Sequence, residues 1–382
     1  MNLLPLMREA PGAEPALGAL EDEPAVHVVG GAVRDALLGR VPRELDFVVE
    51  GDAVPVARRA AQRLGGSVTV HERFGTATVR SADTAFDVVS ARTETYARPG
   101  ALPEVRPGAT IEADLRRRDF AVNAIALHVA DGRLTEYPGA REDLEEGVLR
   151  VLHDASFVDD PTRLLRLARY AARLGFEPDP GTDALAAEAT LDTVSPSRLG
   201  AELRLLLREP QPAALGRLER YQLGARLLGT FAADERRIAE AIALCPADAR
   251  ADLAALAVCV GSEGLAERLD AFEFTAQERA ATVEAAAAPA LPEGLDDAEL
   301  WRRLRRARPE AAAVAGARGS REAAERWLGD VRHRRLAITG DDLVAAGLSG
   351  PAVGAALDAA TLAMLAGRAS GRDEQLAAAL RG

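Results

Sequence analysis

The sequence predicts an α+β protein: a head of about 140 residues built on a mixed β-sheet, then a wholly helical remainder. Three observations carry this. Short β-type runs bounded by Gly, Asp or Ser recur before residue 140 and stop after it. Helical periodicity dominates from there to residue 382. Ala is abundant and aromatic residues make up only 4% of the chain, a balance that favours helix.

Taken in order, residues 26–29 (Val-His-Val-Val) form a first strand that ends in Gly30-Gly31. A short helix carrying Arg34 follows, and then a second strand over 45–49. Residues 53–64 space their apolar side chains as a helix. Runs 67–70, 77–80, 86–90 and 124–129 are further strands. Residues 93–110 hold Pro99, Gly100, Pro103, Pro107 and Gly108 and are expected to be a loop. A structureless stretch of that length within a compact domain is more often functional than idle. Beyond 140 the helical pattern breaks at Pro178 to Gly181, Pro210 to Pro212, Pro246, Pro289 to Gly294, Pro309 and Gly340.

The bulk properties are those of an ordinary soluble globular chain long enough for several domains. All the basic charge is Arg, and the net charge of −12 argues against wholesale coating of nucleic acid while allowing a local basic groove. Two cysteines, Cys245 and Cys259, form no metal-binding spacing and no disulfide framework, which suits a reduced setting. No run approaches the ~18 apolar residues of a membrane span, and the first residues lack a basic stretch followed by an apolar one. A cytoplasmic protein with no membrane partner is expected.

Three clusters carry chemistry. The first is Gly30-Gly31 with Arg34, followed by Glu44 and Asp46. Paired glycines let a backbone approach phosphates closely, and acids at i and i+2 on a strand share a face and can hold divalent metal. Together they point to a metal-bound nucleoside triphosphate. The second is Arg116-Arg117-Arg118-Asp119-Phe120 with Asn123, guanidiniums beside a carboxylate that suit phosphate and ribose. The third is Asp159-Asp160-Pro161-Thr162-Arg163. It reads as a helix start, with Asp160 as N-cap and Pro161 in the first helical position. Arg163, Arg166, Arg169 and Arg173 then fall along one helical side, and Asp160 with Arg163 can offer acceptor and donor groups to a base edge. A solvated basic face accounts for the same arginines.

These motifs, in this order and rough spacing, resemble the class II tRNA nucleotidyltransferases, a family of CCA-adding, CC-adding and A-adding enzymes and bacterial poly(A) polymerases. The resemblance covers residues 26 to 210, about half the chain. Residues Ile338-Thr339-Gly340-Asp341-Asp342-Leu343 through Gly347 and Gly354 to Gly367 also look like its C-terminal segment. It implies a polymerase-beta-type nucleotidyltransferase head (1–140), a helical neck that reads the base (141–210), a helical body (211–330) and a helical tail that binds tRNA (331–382). It implies CMP or AMP addition from CTP or ATP to a tRNA 3′ end, without a template, with two magnesium ions held by Glu44 and Asp46 and with Asp87 as a candidate further ligand. Gly30, Gly31 and Arg34 would contact the triphosphate, Arg118, Asp119 and Asn123 the sugar and phosphates, and Asp160, Arg163 and Arg166 the base. Arg302, Arg303, Arg306, Arg334 and Arg335 would lie along the tRNA. The segment 93–110 falls where the family carries an element tied to switching from C to A.

Three departures stand out. Glu44 occupies a position where the family usually has Asp, and its extra methylene moves the carboxylate by roughly a bond length, to which metal chemistry is sensitive. Asp159 replaces a usual Glu, and Glu136-Tyr137-Pro138-Gly139-Ala140 replaces Asp-Pro-Phe-Gly-Gly. The alternatives are a catalytically weak or inactive RNA-binding homologue, motivated by Glu44, and a poly(A) polymerase. A P-loop kinase or ATPase is disfavoured because no Gly-Lys-Ser/Thr follows the glycines. A fused His-Asp phosphohydrolase is not expected, since His153-Asp154 is its only such pair.

Overall fold

In the computed structural model, which describes residues 2–71 and 75–381, the chain forms two compact units, 1–195 and 196–382. The first opens with two short helices, α1 (Leu4–Arg8) and α2 (Ala13–Leu20). Then come β1 (Val26–Val29), α3 (Gly31–Leu37), β2 (Asp46–Val49), α4 (Ala53–Arg63), β3 (Ser67–His71), β4 (Thr76–Arg80) and β5 (Ala85–Ser90). After these follow β6 (Arg92–Thr95), β7 (Glu104–Pro107), α5 (Ile111–Leu115), β8 (Ile125–His128) and β9 (Leu134–Glu136).

Seven strands make one sheet in the order β3-β4-β5-β2-β1-β8-β9. The β2–β5 pair is parallel and the others are antiparallel, so the sheet is mixed. Strand β1 is buried along its whole length, as a central strand with covered faces must be. Its neighbour β2 is buried from Phe47 on, and only Asp46 opens outward at its start. All six expected strands are present within a residue or two of their expected limits.

Two expectations need correction. Residues 93–110 are not a structureless loop. Strands β6 and β7 pair as an antiparallel hairpin with Thr93 opposite Arg106 and Thr95 opposite Glu104. Its prolines sit where no ladder bond is lost, at the tip and at the last position of an edge strand. Strand pairing also does not stop at residue 140. Val148 and Leu149 (β10) pair in parallel with Glu177 and Pro178 (β11), two residues each, too short to leave a periodic signal.

Between those short strands lie α6 (Ala140–Glu146), α7 (Ser156–Asp159) and α8 (Arg163–Leu174). Helix α8 starts two residues later than expected. Its N-cap is Thr162, not Asp160 as expected; Asp160 closes α7, and its Oδ1 accepts from the Thr162 N–H at 3.1 Å and hydroxyl at 2.6 Å within the turn that Pro161 and Thr162 form.

The second unit is helical among its described residues. Three of its eight prolines open helices. Pro196, Pro309 and Pro351 each begin one, at the position where a missing N–H costs nothing. One apolar core gathers Leu300, Leu304, Trp327 and Leu328, and a smaller one gathers Ile338, Leu343 and Ala360.

Candidate active site

Strand β1 runs into Gly30, whose φ of 69° bends the chain into α3. That conformation favours glycine. Space demands it too: a Cβ here would lie 2.7 Å from Nη1 of Arg118. A Gly30→Ala variant is therefore expected to displace the Arg118 guanidinium and weaken nucleotide binding at least tenfold. Titration with CTP and ATP checks this.

The acids gather one strand away. Val29 pairs with Asp46, and in the parallel β2–β5 ladder Phe47 pairs with Val88, which sets Asp46 level with Asp87. Glu44 lies just before β2 rather than on it, because β1 has already turned away at Gly30 and offers no partner. Glu44, Asp46 and Asp87 nevertheless line one cavity of about 260 Å³. Thr78, opposite Asp87 on β4, donates its hydroxyl to Asp87 Oδ1 at 2.5 Å. The Asp46 carboxyl is held above its usual range, by the desolvation of its seat first and by the charge of Glu44 next. Arg118 opposes this and Asp87 adds to it.

The arginine cluster follows α5. Asp114, fully buried, accepts from Arg117 Nε at 3.0 Å and from Arg118 Nη2 at 3.1 Å. Burial raises its carboxyl, but Arg117 and Arg118 outweigh that and hold it below the usual range. Burial lowers the Arg118 guanidinium, with Asp114 opposing, and leaves its Nε without a hydrogen-bond partner. Arg117 also reaches Glu94 of β6 at 2.9 Å.

A second network runs behind the glycines. Arg34 is 1% exposed. It donates Nε and Nη2 to Asp35 Oδ1 at 2.8 and 2.7 Å and Nη1 to Asn123 Oδ1 at 2.6 Å. Asn123 Nδ2 in turn donates to Asp119 Oδ1 at 2.9 Å, and Arg166 stands 3.7 Å from Asp119 Oδ2. Burial pushes the Asp119 carboxyl up, yet Arg166, the Asn123 hydrogen bond and Arg163 bring it below the usual range. Tyr170 closes this group, its ring under the guanidiniums of Arg34 and Arg169 and edge-on to Phe120.

Asp160 and Arg163 are both buried. Arg163 donates Nη2 to the Arg117 carbonyl at 2.9 Å and Nη1 to the Ser156 hydroxyl, which ties this pair to the arginine cluster. Tyr96, just past β6, lies in the field of both: burial and Glu94 push its phenol up to about 12, while Arg163 lowers it and Asp160 raises it.

The structure thus brings Glu44, Asp46 and Asp87 together, and Gly30 against Arg118. It joins Arg34, Asn123, Asp119 and Arg166 in one network, and ties Arg163 to Ser156 and the Arg117 carbonyl while Asp160 bonds to Thr162. Arg302, Arg303, Arg306, Arg334 and Arg335 belong to the second unit. There Arg334 is paired with Asp330 and Asp297, and Arg335 with the carbonyls of Arg332 and Arg334. Arg302, Arg303 and Arg306 have no acidic partner among the described residues.

Sequence reasoning missed Asp114, Glu94, Thr78 and Tyr170. Tyr170 had a local signal, four residues after Arg166 on the same helical side. Asp114 had one as well, three and four residues before Arg117 and Arg118, whereas Glu94 and Thr78 meet Arg117 and Asp87 only through the tertiary fold and the strand pairing.

Residues 26–150 match the poly A polymerase head domain. The chain is 44% identical over 213 residues to an A-adding tRNA nucleotidyltransferase of Halalkalibacterium halodurans, covering 53% of this chain and 50% of that one. It is 44% identical over 207 residues to a CC-adding tRNA nucleotidyltransferase of Deinococcus radiodurans, covering 53% and 55%. The chain spans about half the length of these two curated relatives. Over its full length it resembles the Thermotoga maritima CCA-adding enzyme complexed with tRNA, with a TM-score of 0.79, 25% identity, and coverage of 100% of this chain and 98% of that one. In its head, its relatives and its full-length fold, the chain is similar to the class II tRNA nucleotidyltransferases.

Proposed function

We propose that this protein adds CMP, AMP or both from CTP and ATP to the 3′ end of tRNA, without a template. One observation carries the reading: the carboxylates of Glu44, Asp46 and Asp87 line a single cavity, one strand away from Gly30 and Arg118. A-adding and CC-adding relatives and a tRNA-bound structural neighbour support it.

Enzymes of this family are generally metal-dependent, and the donor set fits magnesium. All three groups are hard oxygen ligands. A bound cation would offset the desolvation and the Glu44 charge that raise the Asp46 carboxyl. Among the described residues no three metal-binding side chains stand close enough to cage an ion on their own. That suits magnesium held by one or two carboxylates and completed by substrate phosphates. Glu44 and Asp46 would hold it, with Asp87 beside them. Bound there, the metal would lower the pKa of the attacking ribose hydroxyl and neutralise the departing pyrophosphate.

The chain's own groups do the rest. The Gly30-Gly31 backbone and Arg118 take the triphosphate, and Arg118 offers its donors where charge develops. Arg34 acts through Asn123 and Asp119, since three of its donors are already engaged by Asp35 and Asn123. Asp160 and Arg163 select C or A, because a site of buried polar groups rejects a base that leaves them unpaired. The finer division into head 1–140, neck 141–210, body 211–330 and tail 331–382 belongs to this reading, as does a tRNA track along Arg302, Arg303, Arg306, Arg334 and Arg335. A cytoplasmic setting belongs to it as well; no described helix is long and apolar enough to cross a membrane.

The test is incubation of the protein with tRNAs lacking one, two or three 3′ nucleotides, with CTP, ATP or both, in magnesium and in chelator. Magnesium-dependent incorporation on at least one acceptor is expected. Addition only to a preformed CC end identifies an A-adding enzyme, and addition stopping after two C identifies a CC-adding one. An inert parent with an active Glu44→Asp variant would favour the non-catalytic RNA-binding homologue.

A further inference from the structure

Strand β2 carries Asp46 at one end and runs into Glu50 at the other, and the chemistry above makes no use of Glu50. Glu50 Oε1 accepts from the Ile111 N–H at 2.7 Å. Ile111 opens α5, and its N–H is one of the donors for which a helix has no partner of its own. Thr110 takes another of them, the Ala113 N–H, at 3.3 Å. About one turn further along α5, Asp114 seats Arg117 and Arg118 and accepts from the Arg92 N–H at 3.2 Å. Glu50 therefore holds the near end of a short strut whose far end holds the guanidinium beside Gly30.

A buried histidine stands behind this hold. His27 of β1 is 2% exposed, and neither of its ring nitrogens has a hydrogen-bond partner. A polar ring left unpaired at that depth is costly. Its Nε2 lies 3.6 Å from Glu50 Oε2, the oxygen that Ile111 does not use. His128 of β8 stands edge-on to it at 5.1 Å, but the nitrogens of His128 are taken, Nδ1 by Asp131 at 2.7 Å and Nε2 by the Pro24 carbonyl at 2.9 Å. Arg133, before β9, and Glu112 of α5 complete the charged groups around the His27 ring. Burial first, and the charge of His128 next, hold the His27 imidazole below its usual range, with Glu50 opposing and Arg133 adding to the shift. His27 is thus neutral near pH 7 and takes up a proton only in mild acid. The imidazolium then attracts the carboxylate on which α5 depends. Resting on the nucleotide-transfer reading above, we propose that Glu50 is a positioning residue for Arg118, and that protonation of His27 draws Glu50 from the Ile111 N–H and loosens the triphosphate site as pH falls.

The experiment uses the full chain and measures equilibrium binding of CTP with magnesium at pH 7.5 and pH 5.5. Each result is read as a ratio of parent to variant, so that titration of the site acids and of the nucleotide itself cancels. His27→Gln keeps a polar side chain that cannot titrate in this range. It should match the parent within about twofold at pH 7.5 and bind about fivefold more tightly than the parent at pH 5.5. Glu50→Ala should weaken binding about tenfold at pH 7.5, the worth of one hydrogen bond to a charged group. Glu50→Gln, whose amide oxygen can still accept from Ile111, should recover most of that loss and be as insensitive to acid as His27→Gln. If Glu50→Ala does not fold, amide hydrogen exchange over residues 111–115 replaces it, and acid should lower protection more in the parent than in His27→Gln. Parallel pH dependence of binding in parent and His27→Gln overturns the switch, and parental affinity in Glu50→Ala overturns the positioning role. A parent that transfers nothing to any tRNA acceptor overturns the functional reading and this proposal with it. A parent that transfers normally but shows those parallel profiles overturns this proposal alone.

Discussion

Asp46→Asn is expected to cut nucleotide transfer about a thousandfold while leaving the protein at least as stable as its parent at pH 7.5. The activity loss follows from removing the carboxylate at the centre of the acid group. Metal stabilisation of transition-state charge is worth several kcal/mol, and each ~1.36 kcal/mol is a factor of ten in rate. The stability gain follows from the sign of the titration. Desolvation and Glu44 hold the folded Asp46 carboxyl above its usual range, so its charged form opposes folding. That penalty is fully present above the folded pKa and disappears as pH falls through it to below the ordinary aspartate range. Thermal melting should therefore show the Asn variant level with or above the parent at pH 7.5, with any advantage shrinking on acidification. A variant that melts well below its parent at neutral pH would show that Asp46 is structural instead. Magnesium with CTP should raise the parent's melting temperature and leave the variant's nearly unchanged.

Arg34→Met carries the largest expected effect on stability. The guanidinium is almost wholly buried and bridges Asp35 to Asn123 against the Tyr170 ring. Removing one member of such a buried pair strands its partners, at a cost of roughly 3–5 kcal/mol. Side-chain exposure of 21% at Asp35 lets water relieve part of this, which favours the lower end, about 3 kcal/mol. For a unit of this size ~1 kcal/mol shifts melting by about 2–4 °C, so a fall of about 6–12 °C is expected in the transition of the first unit. Arg34→Lys keeps the charge but not the planar fork, and a single ammonium cannot reproduce three donors to Asp35 and Asn123. It should recover part of the stability and little of the activity, because Asn123 also positions Asp119. Recovery of both by Lys would mean that charge alone matters at this position.

The contrast between these two residues shows what was legible. Asp46 announced itself within twenty residues, as an acid on a strand after a glycine pair, and the structure keeps it at the mouth of the cavity. Arg34 belongs to the same motif and suggested a phosphate ligand, yet its Nη1 is spent on a side chain 89 residues away. No local pattern encodes that partner. The hairpin over 92–107 was hidden for a related reason. Its prolines and glycines are loop signals, and they are tolerated because the prolines fall at the tip and edge, which only the pairing reveals.

By itself the sequence determined the class of the protein. Periodicity placed the main strands and the change to helix, since side chains repeat every second residue on a strand and every 3.6 on a helix, whatever lies around them. Three short clusters in order carried the resemblance to one family and named candidate groups for its site. Tertiary structure alone decided how those groups are used. It set Asp87 level with Asp46 through a parallel strand pair, tied Arg163 to the Arg117 carbonyl, and brought the α1–α2 turn to the far wall of the cavity. These are contacts between residues distant in the chain. Their energies depend on burial and on which charges share one space, and no window of sequence contains either.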